Sequence, residues 1–409
     1  MNVVSGAHRH PAWWAHLAHR VSGLMLAIFL PVHFWALGTT LAGPASLDAF
    51  LRFAEQPLVR FAQWGIVVLL VVHLTGGIRL LLIEFRPWSG LRIDWIAGTI
   101  GAGVMIGLIY ALALRGLRME VDYGQIEIAA KELYIRALKM LPPDVKAGFD
   151  RLAAQETAPV AQRVLGTMIQ NIAVAEQTDN LLCQDTGVPI YNVRIGANVR
   201  IDGIALKRAI RDGCTRATRE HPLRSSIVHP LTRKNEQTSC GAEVPVIHID
   251  FAETRDALEI EMIPKGSGSE NNSFLKMAVP AEGVDAIRTF VVDCVLAAGG
   301  KTCPPTIVGV GIGGTSDLCV ALAKRAATRA LGTQCSDPDG ARLESELSAA
   351  VNQLGVGPQG LGGDATAFAV HVELAATHIT MNPVAVNMQC HSARRARATF
   401  TPSGVEYGF

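Results

Sequence analysis

The chain has 409 residues, of which 49% are hydrophobic, and its mean hydropathy of +0.26 is high for a soluble protein. These values predict more than one domain and a membrane portion. Its 37 Lys and Arg residues against 36 Asp and Glu leave a formal net charge of +1, which gives no electrostatic case for binding nucleic acid. The eight cysteines are scattered without CxxC pairs, so a disulfide framework is not expected either.

Three apolar stretches stand before residue 115, at 24–41, 64–83 and 95–114. Each is long enough to cross a hydrocarbon core, which takes about 20 residues at the rise of an α-helix. The first stretch lacks a small-residue cleavage site, so we expect it to stay as an anchor. The sequence therefore predicts an all-α membrane domain of three transmembrane helices over residues 1–117, followed by a soluble domain over 118–409.

Two polar segments border or interrupt the apolar stretches: residues 19–22 read HRVS and residues 73–79 read HLTGGIR. Polar groups within a membrane are costly and usually have partners. The two segments resemble the HRxS and HxxxGxR motifs of the cytochrome b556 anchor subunit of succinate dehydrogenase, although His16 stands where that family has a serine. From the residues alone, His73 could instead only hydrogen-bond a neighbouring helix.

The anchor resemblance implies haem and quinone. His73 would be an axial ligand of haem b, with the second ligand from another membrane subunit of a succinate dehydrogenase, and Arg20 and Ser22 would lie near a quinone headgroup.

The soluble portion alternates helical and strand patterns. Helical spacing of apolar residues occurs at 126–140, 159–175, 205–219, 284–298 and 316–331, and β-branched residues cluster at 188–195, 244–251 and 258–263. This predicts an α+β domain. Glycine-rich loops are expected at 265–271 and 311–315; they fit no nucleotide-binding pattern, but their backbone N–H groups could hold a carboxylate.

Three cysteine segments are dense in chemically active residues: LCQDTG at 182–187, KTCPP at 301–305 and NMQCHSARR at 387–395. Thiolates from three distant segments could hold one cluster. The two prolines after Cys303 stiffen the loop that presents it. That stiffness suits a metal ligand, but from Cys303 alone an ordinary buried turn is favoured.

Residues 120–409 resemble the α subunit, or N-terminal half, of class I iron-sulfur fumarases and L-tartrate dehydratases. Besides the cysteine segments, the resemblance covers LRSS at 223–226, KGSGSEN at 265–271, VGVGIGGT at 308–315 and GVGPQGLGG at 355–363. The residues that it assigns to the active site fall in or near these segments. They are the ligands of a 4Fe-4S cluster, Cys183, Cys303 and Cys390; the substrate contacts, Gln184, Asp185, Arg224 and Gly266; and the catalytic residues, Asp185 and His378.

A cluster held by only three cysteines leaves one iron open as a Lewis acid, whereas electron-transfer clusters normally have four. The resemblance therefore implies reversible hydration of a small dicarboxylate, and it favours fumarate and (S)-malate over L-tartrate. The family's remaining catalytic groups belong to a β subunit, so a β-subunit partner is expected. From the residues alone, Asp185 could instead cap a turn, Arg224 could be a surface residue and His378 a satisfied core residue.

The whole chain could alternatively be a haem- and quinone-binding membrane anchor with an idle soluble part. Three spans would place the N-terminal segment and the soluble domain on opposite sides of the membrane, and the charges of the short loops do not decide the orientation. Because an oxygen-labile cluster belongs in a reducing compartment, we expect a multi-pass protein of a bacterial-type inner membrane, in contact with lipid, whose soluble domain faces the cytoplasm.

Overall fold

The computed structural model describes residues 11–38, 41, 43, 46, 50, 53–54, 56–85, 93–116, 119–254 and 256–409. By its internal contacts the chain divides into two compact units, Met1–Arg118 and Met119–Phe409. The first contains three apolar helices, and the second contains helices and sheets. The expected architecture, an all-α membrane segment followed by an α+β domain, is confirmed.

The first unit contains helices α1 (Pro11–Gly38), α2 (Pro57–Phe85) and α3 (Ile93–Gly116). Among the described residues, three helical stretches are long and apolar enough to cross a membrane: Pro11–Gly38, Leu58–Phe85 and Trp95–Leu112. The first begins well before the predicted residue 24, and residues 39 and 40 of that prediction lie outside the described residues. The three predicted spans therefore correspond to three observed helices.

The helices of the second unit pack on both of its larger sheets. Several of them begin directly after an aspartate whose carboxylate accepts hydrogen bonds from the first N–H groups of the helix. Helix α4, for example, begins after Asp122, whose carboxylate accepts a hydrogen bond from the Gly124 N–H at 2.8 Å, the usual way to satisfy a free N–H at a helix start. The helices are α4 (Tyr123–Lys139), α5 (Pro143–Gln155), α6 (Pro159–Gln177), α7 (Gly203–Glu220), α8 (Ser267–Glu270), α9 (Gly283–Ala298), α10 (Ser316–Thr328) and α11 (Pro338–Asn352).

The strands of the second unit form a two-stranded, a five-stranded and a four-stranded sheet. The strands are β1 (Met119–Glu120), β2 (Val188–Gly196), β3 (Val199–Arg200), β4 (Val246–Ala252), β5 (Leu258–Lys265), β6 (Phe274–Ala278), β7 (Thr306–Gly313), β8 (Ala367–Ala375), β9 (Asn382–Gln389), β10 (Ala396–Thr401) and β11 (Gly404–Gly408). The five-stranded sheet has the order β11-β10-β5-β2-β4 and the four-stranded sheet the order β6-β9-β7-β8. Their cores are separate: one is built around α4 and α7, the other around α9 and α11.

Strand β7 contains the glycines that the sequence assigned in part to a loop. A Cβ atom at Gly309 or Gly311 would come within 2.1 Å of the carbonyl oxygens of Ala323 and Cys319 in α10. These glycines therefore let the helix lie directly on the strand. The expected anion-binding loop at 311–315 is wrong over residues 311–313, which are buried strand.

The topology brings the ends of several strands to one region. In the four-stranded sheet, β7 and β9 are antiparallel and Ile307 pairs with Gln389, so the start of β7 and the end of β9 share an edge. In the five-stranded sheet, β2 and β5 are antiparallel and Val188 pairs with Lys265, so the start of β2 and the end of β5 share an edge. The three cysteine segments of the sequence flank these edges.

Candidate functional site

The loop that carries Cys183 is fixed on both sides of the cysteine. Leu182 is buried, and its N–H donates to the Leu138 carbonyl at 2.9 Å. Thr186 is also buried; its hydroxyl donates to the Arg224 carbonyl, and its own carbonyl accepts from the Tyr134 hydroxyl at 3.1 Å. The half-exposed Cys183 thiol is therefore presented between two anchored residues.

The other two cysteine segments are joined to each other. Cys303 follows a 3₁₀ helix, Gly299–Thr302, and has a left-handed backbone with φ of 53°. Its carbonyl accepts from the N–H of His391 at 3.1 Å and lies 3.2 Å from Nδ1 of the same residue. Cys390 immediately precedes His391 at the end of β9. The backbone thus holds two half-exposed thiols at one sheet edge.

Cys183, Cys303 and Cys390, which we call the cysteine triad, are electrostatic neighbours. Burial raises the pKa of the Cys303 thiol, and the negative charges of Cys390, Cys183 and Asp185 raise it further. Among the described residues, no group of three or more His, Cys, Asp or Glu side chains is placed to hold a single metal ion. A cubane cluster requires no such convergence, because each thiolate binds a different iron. Three accessible thiols on anchored loops are a donor set of the kind that holds an iron-sulfur cluster.

Asp185 connects the Cys183 loop to the turn after β5. One carboxylate oxygen accepts from the Gly187 N–H at 2.9 Å, and the other accepts from the Ser267 N–H at 2.8 Å and lies 3.2 Å from the Ser267 hydroxyl. Burial raises the pKa of Asp185, but these hydrogen bonds and the Arg394 charge bring it below its usual value. The carboxylate is therefore ionised, caps two turns and is a weak proton acceptor.

Gly266 lies where a side chain would intrude on this arrangement. A Cβ atom there would be 3.2 Å from the Asp185 carboxylate and 3.7 Å from a terminal nitrogen of Arg394. Arg394 is almost completely buried, and its guanidinium donates to the Asp185 carbonyl at 2.6 Å. A side chain at Gly266 would therefore press on the Asp185 carboxylate where the β5–α8 turn meets the Cys183 loop.

The remaining predicted substrate contacts are open to solvent. Gln184 and Arg224 are both exposed, and among the described residues no hydrogen bond or ion pair engages the Arg224 guanidinium. The Arg224 backbone is nevertheless tied to Thr186 through its carbonyl. The structure therefore brings Gln184, Asp185, Arg224 and Gly266 to the cysteine triad.

His378 lies elsewhere. It is exposed in the loop between β8 and β9, beside Gly314, and its Nδ1 lies 2.8 Å from the Thr380 hydroxyl. Because β7 has eight residues, the two ends of this sheet are separated by roughly 25 Å at about 3.3 Å per residue. Within one chain the structure does not bring His378 to the cysteine triad.

Two buried cations at the site were missed by sequence reasoning. Lys265 and Arg394 are 0% and 1% exposed, although lysine and arginine are almost never fully buried unless paired. Lys265 opens the segment KGSGSEN, and Arg394 follows Cys390 by four residues. Both residues lie inside segments that carry the family resemblance, and this was the sequence signal that could have identified them. Their burial depends on the fold and is not visible in the sequence.

In the first unit, two histidines form a close pair. The rings of His19 in α1 and His73 in α2 stack with centroids 4.2 Å apart and planes 6° apart. Nδ1 of His73 lies 3.1 Å from the His19 carbonyl and 3.3 Å from the hydroxyl of Ser22, which is buried. A carbonyl can only accept, so Nδ1 carries the proton and Nε2 keeps its lone pair, the arrangement typical of a histidine that binds metal.

The two predicted quinone residues differ in their surroundings. Ser22 contacts His73, whereas the neighbouring Arg20 is exposed in this unit. Arg79, in the same helix as His73, is 8% exposed, and its Nε has no hydrogen-bond partner among the described residues. The structure thus joins Ser22 to the candidate haem ligand and leaves Arg20 accessible.

Comparison with known protein families gives one match in each of the two units, on either side of the boundary at residue 118. The model of the fumarate hydratase (Fumerase) family matches residues 127–399, which is about two thirds of the chain and includes the whole cysteine triad. The model of the succinate dehydrogenase/fumarate reductase transmembrane subunit matches residues 4–100. The two resemblances inferred from the motifs are both confirmed.

Similar curated proteins correspond to the second unit. A putative L(+)-tartrate dehydratase subunit alpha of Methanocaldococcus jannaschii is 44% identical over 267 residues, covering 65% of this chain and 94% of the relative. The L(+)-tartrate dehydratase subunits alpha of Escherichia coli strain K12 and Shigella boydii are each 31% identical over 255 residues, covering 62% of this chain and 84% of the relative.

Proposed function

This chain belongs to the fumarate hydratase family, and from that premise we propose that it is the α subunit of an iron-sulfur hydro-lyase that interconverts fumarate and (S)-malate. The observation that supports this most is the cysteine triad: three half-exposed thiols, on three anchored loops, whose charges act on one another. Cys183, Cys303 and Cys390 would hold a 4Fe-4S cluster. When bound, such a cluster would supply an open iron as a Lewis acid for the hydroxyl that leaves or adds.

The protein groups around the triad would bind and orient a dicarboxylate. The exposed Arg224 has a guanidinium free to hold a carboxylate by two parallel hydrogen bonds. The ionised Asp185 is fixed by Gly187 and Ser267, so its proposed role is to orient a reacting group rather than to abstract a proton. Gln184, which is exposed next to the triad, would donate or accept the remaining hydrogen bonds of the substrate.

The proton acceptor is expected from a β subunit. Within this chain Asp185, beside the triad, is a weak base because its pKa is lowered, and His378 lies at the other end of the sheet. All three relatives named above are called subunits alpha, which supports a partner that completes the site. His378 remains a proposed catalytic residue only if assembly brings it to a site.

L-tartrate is the second candidate substrate, because the similar curated proteins are named L(+)-tartrate dehydratases. Both substrates are small dicarboxylates that undergo loss of water. The residues that we place at the site serve either one, since each would use Arg224 for a carboxylate and the cluster for a hydroxyl. We favour fumarate because the KGSGSEN segment at 265–271 resembles that of fumarases more closely.

For residues 1–117 we propose a cytochrome b556-like anchor in a bacterial-type inner membrane, with the domain 118–409 on the cytoplasmic side. The contact of His73 Nδ1 with the His19 carbonyl supports haem b binding by Nε2 of His73, because Nδ1 is already used. The second axial ligand would come from another membrane subunit, and quinone would lie near Arg20 and Ser22. A haem-binding anchor of succinate dehydrogenase with an idle second unit is the alternative whole-chain function.

A single co-expression experiment tests the proposal. The full chain is produced with a β subunit, reconstituted anaerobically with iron and sulfide, and assayed for malate dehydration and L-tartrate dehydration. Turnover of malate at a higher kcat/KM than L-tartrate is the expected result. The reverse order would assign L-tartrate as the substrate, and a protein with a full cluster but neither activity would contradict the hydro-lyase proposal. Haem is read separately from reduced-minus-oxidised spectra of the membranes.

A further inference from the structure

Lys265 occupies an unusual position for a lysine. It is the last residue of β5, its side chain is completely buried, and its ammonium donates to the Ser269 hydroxyl at 2.9 Å and to the Met388 carbonyl. Its third proton faces the Glu270 carboxylate at 3.5 Å. An ammonium has three donors and no acceptor, so every proton has a partner, and the charge is retained although burial lowers the pKa of Lys265 to about 8.

The contact with Met388 joins the two large sheets next to the triad. Lys265 ends β5 in the five-stranded sheet, and Met388 lies in β9 of the four-stranded sheet, two residues before Cys390. Lys265 therefore fixes the strand end from which the Cys390 thiol is presented. A neutral side chain of similar length would pack there, but it would leave the Met388 carbonyl without this donor.

The charges around Lys265 do not balance within the protein. Glu270 is shared, because Lys324 also pairs with it at 2.5 Å. Among the described residues, no other carboxylate lies within ion-pair distance of either lysine. Two cations thus face one anion, and although Lys324 and Glu270 are partly exposed, Lys265 is completely buried, where charges are normally compensated. The next group whose negative charge would act on Lys265 is Cys390, once its thiol is ionised.

We propose that Lys265 is a positioning residue of the cluster site, whose buried ammonium anchors the Cys390 segment and supplies positive charge to the anionic cluster that the triad would hold. This rests on the proposed function. A cluster bound by three thiolates carries net negative charge, and it becomes more negative on reduction. A fixed cation beside it therefore stabilises the reduced state, whereas a fixed anion such as Glu270 destabilises it.

The test compares two substitutions of opposite charge effect in the full chain. Lys265→Met and Glu270→Gln are reconstituted anaerobically with iron and sulfide, and the midpoint potential of the cluster is measured by reductive titration with electron paramagnetic resonance. We expect a shift to more negative potential for Lys265→Met and to more positive potential for Glu270→Gln. Lys276→Met, which removes an exposed lysine paired with Glu282 at 3.5 Å, is the control and should leave the potential unchanged.

Opposite signs distinguish charge from packing, because disturbed packing alone has no reason to reverse between the two variants. Lys265→Met should also lose iron faster to a chelator than the wild type does. If Lys265→Met does not fold, the midpoint potential of Glu270→Gln is the deciding measurement. A cluster potential in Glu270→Gln equal to that of the wild type overturns the proposal. Shifts of the same sign, or none, in folded variants with full clusters overturn it while the proposed function stands. A wild-type chain that takes up no cluster overturns both.

Discussion

Asp185→Asn is the substitution with the most specific expected effects, because the structure defines each hydrogen bond that it changes. The wild-type carboxylate accepts from the N–H groups of Gly187 and Ser267 at 2.9 and 2.8 Å. An asparagine keeps one oxygen acceptor, and its NH₂ group must face the other N–H donor. The variant therefore loses the charge and at least one of the two turn-capping bonds.

The size of the effect follows from the kind of bond lost. A hydrogen bond to a charged group is worth about 1.5–3 kcal/mol, and the bond to Ser267 is open to water, which favours the lower end. A loss of about 1.5 kcal/mol in local opening free energy corresponds to roughly tenfold faster amide exchange. Since the pKa of Asp185 is lowered in the folded state, the wild-type advantage is present above the ordinary value of 3.8 and is lost as the pH falls through the folded value.

Hydrogen exchange measured at pH 7 on the full chain localises this change. At least one of the Gly187 and Ser267 amides, the one that faces the NH₂ group, should exchange about tenfold faster in Asp185→Asn, and kcat of the complex with the β subunit should fall by about 100-fold, the scale of a lost acid–base or orienting element. Asp179→Asn is the matched control. Asp179 is 82% exposed and pairs with Lys139 at 2.7 Å, an interaction that contributes little, so exchange and kcat should stay near wild type.

Amide exchange tests whether Asp185 holds the two turns, and kcat tests whether it contributes to turnover. Unchanged exchange at both Gly187 and Ser267 would show that the Asp185 carboxylate does not hold these two turns in solution. Faster exchange with near-wild-type kcat, in a variant whose cluster content is verified, would leave Asp185 as a turn cap with no role in turnover.

The remaining predictions concern the cysteine triad, Arg224 and His73. Serine at any position of the triad should abolish anaerobically measured iron and sulfide, whereas Cys214→Ser and Cys335→Ser should leave both intact; full content in a triad variant would remove that cysteine from the site. Arg224→Ala should raise KM for malate by about tenfold or more with the cluster retained, and an unchanged KM would argue against carboxylate binding. His73→Ala should remove haem from reduced-minus-oxidised membrane spectra without changing iron-sulfur content, and an unchanged haem signal would leave His73 as a helix-packing residue.

The apolar pattern of the sequence predicted most helices because each buries one face. Helices α4, α6 and α7 were expected within a few residues of their observed bounds. Strand β7 was missed for a physical reason: it is buried on both faces, so it shows no alternation, and its glycines resemble a loop. Only the close approach of α10 explains those glycines, and that approach is not visible in the local sequence.

The site, like the fold, has features that were predictable from the sequence and features that were not. Cysteines in dense polar segments are visible in sequence, and the structure brings all three to neighbouring edges. The burial of Lys265 and Arg394 was not predictable from composition, since it depends on contacts with residues more than 100 positions away. His378 is only 12 residues before Cys390 in sequence, but β9 lies between them and carries the chain to the opposite end of the sheet.

The distribution of satisfied and free groups around the triad indicates which side of the site needs a partner. On the inner side, Lys265 and Arg394 are buried and bonded to carbonyls of neighbouring segments, and Asp185 is held by three hydrogen bonds. On the outer side, the Arg224 guanidinium is exposed and the three thiols are half-exposed. A dicarboxylate bound there would meet a fixed protein wall on one side and water on the other. Since excluding water strengthens the interaction of a guanidinium with a carboxylate, a β subunit that covers the outer side would both complete the proposed catalytic groups and tighten the proposed contact between Arg224 and the substrate carboxylate.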